Sequence, residues 1–201
     1  MNTPSHLILT AATRKALWRV RIVNSAVLLG AVAPDLPLIV LSVGGMLYYR
    51  GVLGWNRQAT LAHLFTNLYF HDPFWICAHS LLHAPLILVG GLVATGMLKR
   101  RAPAAAEWWQ WFLIACLFHA VVDVFTHHDD GPLLLFPFDW SYRFHSPVSY
   151  WDSRHYGLQF TIFELATDTI LLMYLALPWA RRVFMALART LPARSRRAEP
   201  E

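Results

Sequence analysis

Residues 118–140 read FHAVVDVFTHHDDGPLLLFPFDW, and the rest of the chain converges on this stretch. It opens inside an apolar run and carries His119, Asp123 and His127 at i, i+4 and i+8. On an α-helix that spacing stacks the three side chains along one face. An imidazole and a carboxylate one turn apart are how a helix offers two ligands to a divalent metal. The same spacing also suits a capped helix with a solvated polar end, so the pair alone does not decide. Gly131 and Pro132 stop the helix, which leaves His128, Asp129 and Asp130 crowding its mouth.

Composition sets the class. The chain has 201 residues, of which 56% are hydrophobic and 14% charged. Its mean hydropathy is +0.39. That is too apolar and too weakly charged for a soluble domain of this size. Four windows, roughly 22–49, 76–98, 108–126 and 158–180, are long enough to cross a bilayer, which takes about 20 mainly apolar residues. The fold expected is all-α: a polytopic membrane helical bundle of about four transmembrane helices plus a short N-terminal helix. Residues 1–190 form one integral-membrane domain in this reading, and 191–201 a polar cytoplasmic tail.

Basic residues orient the bundle. Arg14, Lys15, Arg19 and Arg21 precede the first window, Lys99, Arg100 and Arg101 follow the second, and most of the remainder lie beyond Ala180. The opposite side holds only Arg50, Arg57, Arg143 and Arg154. Both termini are therefore expected in the cytoplasm of a bacterial inner (plasma) membrane, in a multi-pass chain. The net charge of +5 serves as an inner-leaflet anchor and calls for no nucleic acid. Cys77 and Cys116 are too few for a disulfide framework or a cysteine zinc motif, and read as packed core residues.

The other windows carry polar groups of the same kind. Asp35 lies between Pro34 and Pro37 in the first. A carboxylate inside a membrane costs about 2.5–3.5 kcal/mol even on insertion scales, so it signals function or a buried partner. The prolines should break the helix and free backbone groups, and a second, compatible reading makes Asp35 a cap for the second half. Residues 50–75 read as an outer loop holding His63, His71 and Asp72. His79 and His83 follow at i, i+4, again on one helix face, with Pro85 tolerated near the helix start. In the last window Glu164 and Asp168 repeat that spacing. Residues 128–157, rich in aromatics and proline, read as a lid or interfacial loop. All ten histidines except His6 fall on the outer half of this topology. Independent core histidines have no reason to share a depth and a side; one polar site open to the outer face explains it.

The segments SHLILTAA, LLGAVAPDLP, HSLLHAPL and FHAVVDVFTHHDDGPLLLFPFDW, followed by Arg143, resemble the bacterial membrane-bound metal-dependent hydrolase family typified by the YdjM proteins. That family is distantly similar to the all-helical zinc phospholipase C and S1-P1 nuclease proteins. The resemblance runs from residue 5 to about 145. It implies metal ligands at His6, Asp35, His79 or His83, His119 and Asp123. Two features depart from the family pattern. Pro37 replaces the second acid of a Pro-Asp-x-Asp run, and the histidine motif of the second window is recast as His79-Ser-Leu-Leu-His83, with His71 a competitor for the same place.

A zinc-type divalent metal held by imidazoles and carboxylates lowers the pKa of a bound water towards 7. Asp123, Asp35 or Glu164, whichever is not a ligand, would then orient or deprotonate that water, and His127 would protonate the leaving group. With Asp123, His127 and Glu164 as catalytic candidates, the expected reaction is hydrolysis of a phosphoester or acyl bond in a lipid or envelope molecule. Partners are then the lipid bilayer and such a substrate. Other classes stay open: a transporter or proton relay, a haem-binding membrane cytochrome, and a non-catalytic metal-containing assembly protein.

Overall fold

The computed structural model describes residues 1–190; the expected polar tail, 191–201, lies outside the described residues. Helix α1 spans Thr3–Ala16, with Pro4 in its first turn and Arg14 and Lys15 in its last. Both suit the polarity of a helix, proline where no N–H is needed and cations at the negative end.

The first expected span is broken. Helix α2, Asn24–Gly30, stops and turns, and α3, Leu36–Met46, restarts with Pro37 in its first turn and runs on as a π-helical segment, Leu47–Val52. A proline ring collides with the carbonyl four residues back. For Pro34 that residue is Gly30, where α2 ends. Asp35 does not cap α3: it makes no capping hydrogen bond.

Residues 50–75, expected as a loop, are largely helical. Asn56 caps α4, Arg57–Ala62, by accepting the Ala59 amide at 2.8 Å. A π-helical segment, His63–Leu68, and the single turn α5, Tyr69–His71, continue it. Asp72 then caps α6, Pro73–Ser80, through the Trp75 amide at 3.0 Å. Helix α7, Pro85–Leu98, follows at a 49° bend. Pro85 takes the first helical position, so His79 and His83 do not share one helix face as the sequence suggested. His79 ends α6 and His83 lies in the turn.

Helix α8, Pro103–Thr126, stops earlier than expected, so His127 is its extended C-cap residue and not the third position on the His119–Asp123 face; α9 runs from Gly157 to Thr190 with Pro178 inside it. Among the described residues α8 and α9 are long and apolar enough to cross a membrane, and the bent α6–α7 pair makes a third if it is one span. No strand forms among them; Leu133 and Arg143 make a single antiparallel bridge.

Helices α2 and α7 flank α8. Ala26, Leu88, Phe112, Cys116 and Ala120 close the core between them. The approach of α2 to α8 depends on Gly30: a Cβ there would sit 2.4 Å from the Phe112 carbonyl oxygen. Cys116 lies in this core as expected, but Cys77 is exposed on the outer surface of α6, a correction to its sequence reading. Helix α9 stands apart from the core, with 6% of its most apolar window buried against 39% for α8. It is attached through α1. The Glu164 carboxylate accepts Asn2 N at 2.7 Å and Asn2 Nδ2 at 2.8 Å. Asp168 accepts the Ser5 hydroxyl at 2.6 Å, and Lys15 Nζ reaches the Tyr174 carbonyl. The paired acids of α9 thus hold the first turns of α1.

The segment between α8 and α9 is tied back onto the end of α8. Tyr150 N donates to Thr126 O at 2.9 Å and Ser146 Oγ to Phe125 O at 2.7 Å.

Candidate metal centre

Four elements deliver the polar groups. Helix α8 contributes His119 and Asp123, the α2–α3 break contributes Asp35, the turn between α6 and α7 contributes His83, and α1 contributes His6. One ligand atom from each of Asp35, His83, His119 and Asp123 lies within 4.8 Å of the other three. His83, His119 and Asp123 are 3%, 0% and 2% exposed, so their polar atoms must find partners inside the protein.

The tautomer of His119 tests whether a cation fits. Its Nδ1 lies 2.8 Å from the Ala31 carbonyl oxygen, which only accepts, so Nδ1 carries the proton. In the neutral ring Nε2 is then a lone pair. It faces Asp123 Oδ2 at 3.1 Å and Asp35 Oδ1 at 3.4 Å, and no hydrogen bond satisfies it. Three acceptors converge where a positive charge, either a proton on Nε2 or a metal ion, stabilises them. A tetrahedral ion with bonds of about 2.0–2.1 Å separates its ligands by about 3.3 Å, the spacing seen here. Donation of the other ring nitrogen to a backbone carbonyl is also the usual support of a metal-bound histidine. His83 Nε2, at 2.9 Å from Asp123 Oδ2, completes the set. Two imidazoles and two carboxylates suit zinc and similar divalent ions.

The remaining candidates stand around this set. His6 is 1% exposed, stacks on His119 with ring centres 3.5 Å apart, and places Nε2 at 2.8 Å from Asp123 Oδ1. It therefore contacts the carboxylate oxygen turned away from His83 and His119. Helix α1 consequently rises from its basic end into the site. His79 lies outside the four-atom set; its Nε2 is 3.3 Å from the Tyr69 hydroxyl, which itself donates to Asp130 O at 2.7 Å. Glu164 is taken up by Asn2 and does not line the site cavity. His71 lies outside the cluster on an exposed turn.

The family model for the YdjM inner membrane protein matches residues 1–192. The chain belongs to the YdjM inner membrane protein family. Neither the curated proteins nor the solved structures offer a match to it. Membership places this buried His/Asp cluster in an inner-membrane protein.

The cluster opens into a cavity of about 620 Å³, within the ordinary range for a small-molecule site. Asp35, His83 and Asp123 line it together with Leu38, Ile39, Phe65 and Phe70, and Tyr150 and Trp151 come from the long loop. His127 lines it too, with Nε2 at 3.5 Å from Asp123 Oδ1 and Nδ1 at 3.1 Å from Asp130 Oδ1. Burial alone would lower the pKa of His127, but the two carboxylates outweigh it and raise it. For Asp130 burial pulls upward and the His127 contact prevails, holding its pKa below the usual carboxylate value. Sequence reasoning missed three groups at the site: the Ala31 carbonyl, the Thr3 hydroxyl that donates to Asp35, and the Met1 amino group, 2.8 Å from Asp123 Oδ1. Only the first left a signal, in the prolines that free carbonyls at the α2–α3 break.

Proposed function

We propose that this protein is a metal-dependent hydrolase of the inner membrane, cleaving a phosphoester or acyl bond of a lipid or envelope molecule. The observation that carries the reading is the His119 Nε2 lone pair, buried against two carboxylates at the floor of a cavity with partly apolar walls. Three of Asp35, His83, His119 and Asp123 would hold the ion, with zinc the best fit to the donors and the fourth position left to water. When bound, such an ion supplies a water acidified towards neutrality. The chain's residues do the rest. Whichever of Asp35 and Asp123 is not a ligand would orient that water through its carboxylate oxygens. His127, on the cavity wall, gives a proton from Nε2 to the leaving oxygen. His6 steadies Asp123. Glu164 anchors α1 and with it His6, a positioning role in place of the direct one its sequence spacing suggested.

The proposed topology has one integral-membrane domain of four spans, with α2 and α3 as the two halves of the first. Both ends of the chain enter from the cytoplasmic face, and α1 dips from its basic end up to an outer-facing site. The apolar residues lining the cavity support a substrate with an apolar part, such as a lipid.

The test is elemental analysis of detergent-purified protein, wild type beside His119→Ala, together with release of phosphate or fatty acid from mixed phospholipid micelles. Wild type should carry metal and release product, and the variant should lose both. Equal metal content in the two proteins, or product release unchanged by the substitution, would overturn the reading.

A further inference from the structure

A second group of ligand-type side chains lies outside the membrane-spanning helices, where the chain leaves α8. We propose that His128, Asp129 and His145 form a separate site for a divalent transition ion of the zinc class, which pins the long loop to the end of α8. One ligand atom from each lies within 4.8 Å of the others.

The tautomer argument applies again, with different partners. His128 Nδ1 lies 2.6 Å from the Ser146 carbonyl oxygen, so the ring proton sits on Nδ1. The Nε2 lone pair is then presented 3.4 Å from Asp129 Oδ1, an acceptor facing an acceptor. His145 Nδ1 approaches the same oxygen at 3.2 Å. Both separations match the ligand spacing of about 3.3 Å around a tetrahedral zinc. His155 stacks flat on His128, ring centres 3.5 Å apart at 14°, which fixes the plane of the ligating ring.

The position gives the ion its effect. His128 and Asp129 line the mouth of the cavity directly after α8, whereas His145 belongs to the far arm of the loop. An ion shared among them joins the arms, and closing a long loop is where a metal clip stabilises most. His145 and Asp129 are 67% and 59% exposed, so the site can exchange its ion with solvent. Two imidazoles with one carboxylate leave a fourth position for water, as an exposed three-ligand site requires.

Full-length protein in detergent is stripped with chelator, reloaded with Co²⁺ and freed of excess by gel filtration; bound cobalt is then counted per chain. Tryptic cleavage of the 128–157 loop is followed with and without the ion. The proteins compared are wild type, His145→Ala, His145→Gln and His119→Ala. Wild type should hold two ions and each single-site variant one. Cobalt should slow loop cleavage in wild type and in His119→Ala but not in either His145 variant, which differ at an exposed side chain and should fold normally. Wild-type stoichiometry and loop protection retained in both His145 variants would overturn this site, as would a wild type holding a single ion that His119→Ala abolishes. A loss in the His145 variants with no loss in His119→Ala leaves this site standing and removes the proposed buried centre instead.

Discussion

Replacing Gly30 with alanine should damage the proposed metal centre without touching any of its candidate ligands. The new Cβ would lie 2.4 Å from the Phe112 carbonyl oxygen and 2.8 Å from the Ala115 Cβ, whereas ordinary contacts begin at 3.4 Å. Helix α2 must therefore back away from α8 by about 1 Å, because close-packed interiors do not absorb an overlap of that size. Ala31, the next residue, moves with it. Its carbonyl now holds His119 Nδ1 at 2.8 Å, and a shift of that size stretches the bond beyond hydrogen-bonding range. Overpacking costs about 1–3 kcal/mol. The unsatisfied imidazole N–H costs about 1–3 more. Alanine returns about 1 kcal/mol in helix propensity. The net expectation is a loss of about 1–5 kcal/mol of stability. Disturbing the partner of a metal-bound histidine also weakens metal affinity by about 10–100-fold. The assay is thermal melting in detergent, with and without chelator, plus zinc competition against a chromophoric chelator. Gly90→Ala is the control, since its Cβ would meet nothing within 4 Å. If Gly30→Ala melts and competes for zinc as wild type does, neither the close approach of α2 nor the support of His119 by Ala31 is what organises the site.

Glu164→Ala removes both acceptors of Asn2 and with them one tie between α9 and the first turn of α1. Asn2 is exposed, so water takes the freed donors, and we expect a loss of about 0.5–1.5 kcal/mol and faster proteolysis within α1, read by melting and by trypsin at Arg14; an unchanged digestion pattern would show that α1 is held by other contacts. Asp152 is bonded by the Arg154 guanidinium, which lowers its pKa from the ordinary value to about 2. A carboxylate depressed in the folded state contributes stability that is full above its unfolded value of about 3.9 and is lost as pH falls through the folded one. The melting temperature should therefore drop between pH 4 and about 2 more in wild type than in Asp152→Asn; parallel curves count against this tether. Reporter fusions at Gly131 should read periplasmic and at Ala102 cytoplasmic, and the reverse at both would turn the proposed site to the other face.

What the sequence could determine was local. His119 and Asp123 share one face because helical periodicity is a property of consecutive residues, whereas α8 ends at Thr126, before Gly131-Pro132, and leaves His127 extended and off that face. The surplus of apolar residues gave the all-helical membrane class by the same kind of argument, since a bilayer leaves the backbone few ways to satisfy itself. Pairings across the chain were not legible in this way. Whether His79 or His83 joins the four-atom set is decided by the 49° bend between α6 and α7, which rotates one relative to the other. Glu164 and Asp168 do share a face, yet that face is turned to α1, a partner more than 150 residues away in sequence. His6 reaches Asp123 through tertiary contacts that hold α1 in place, those acids among them. The tautomer of His119 rests on the backbone carbonyl of Ala31, which every residue type possesses and no side chain announces. Ligand types and helix faces follow from neighbours along the chain; which lone pairs end up facing one another follows from how the helices break and pack.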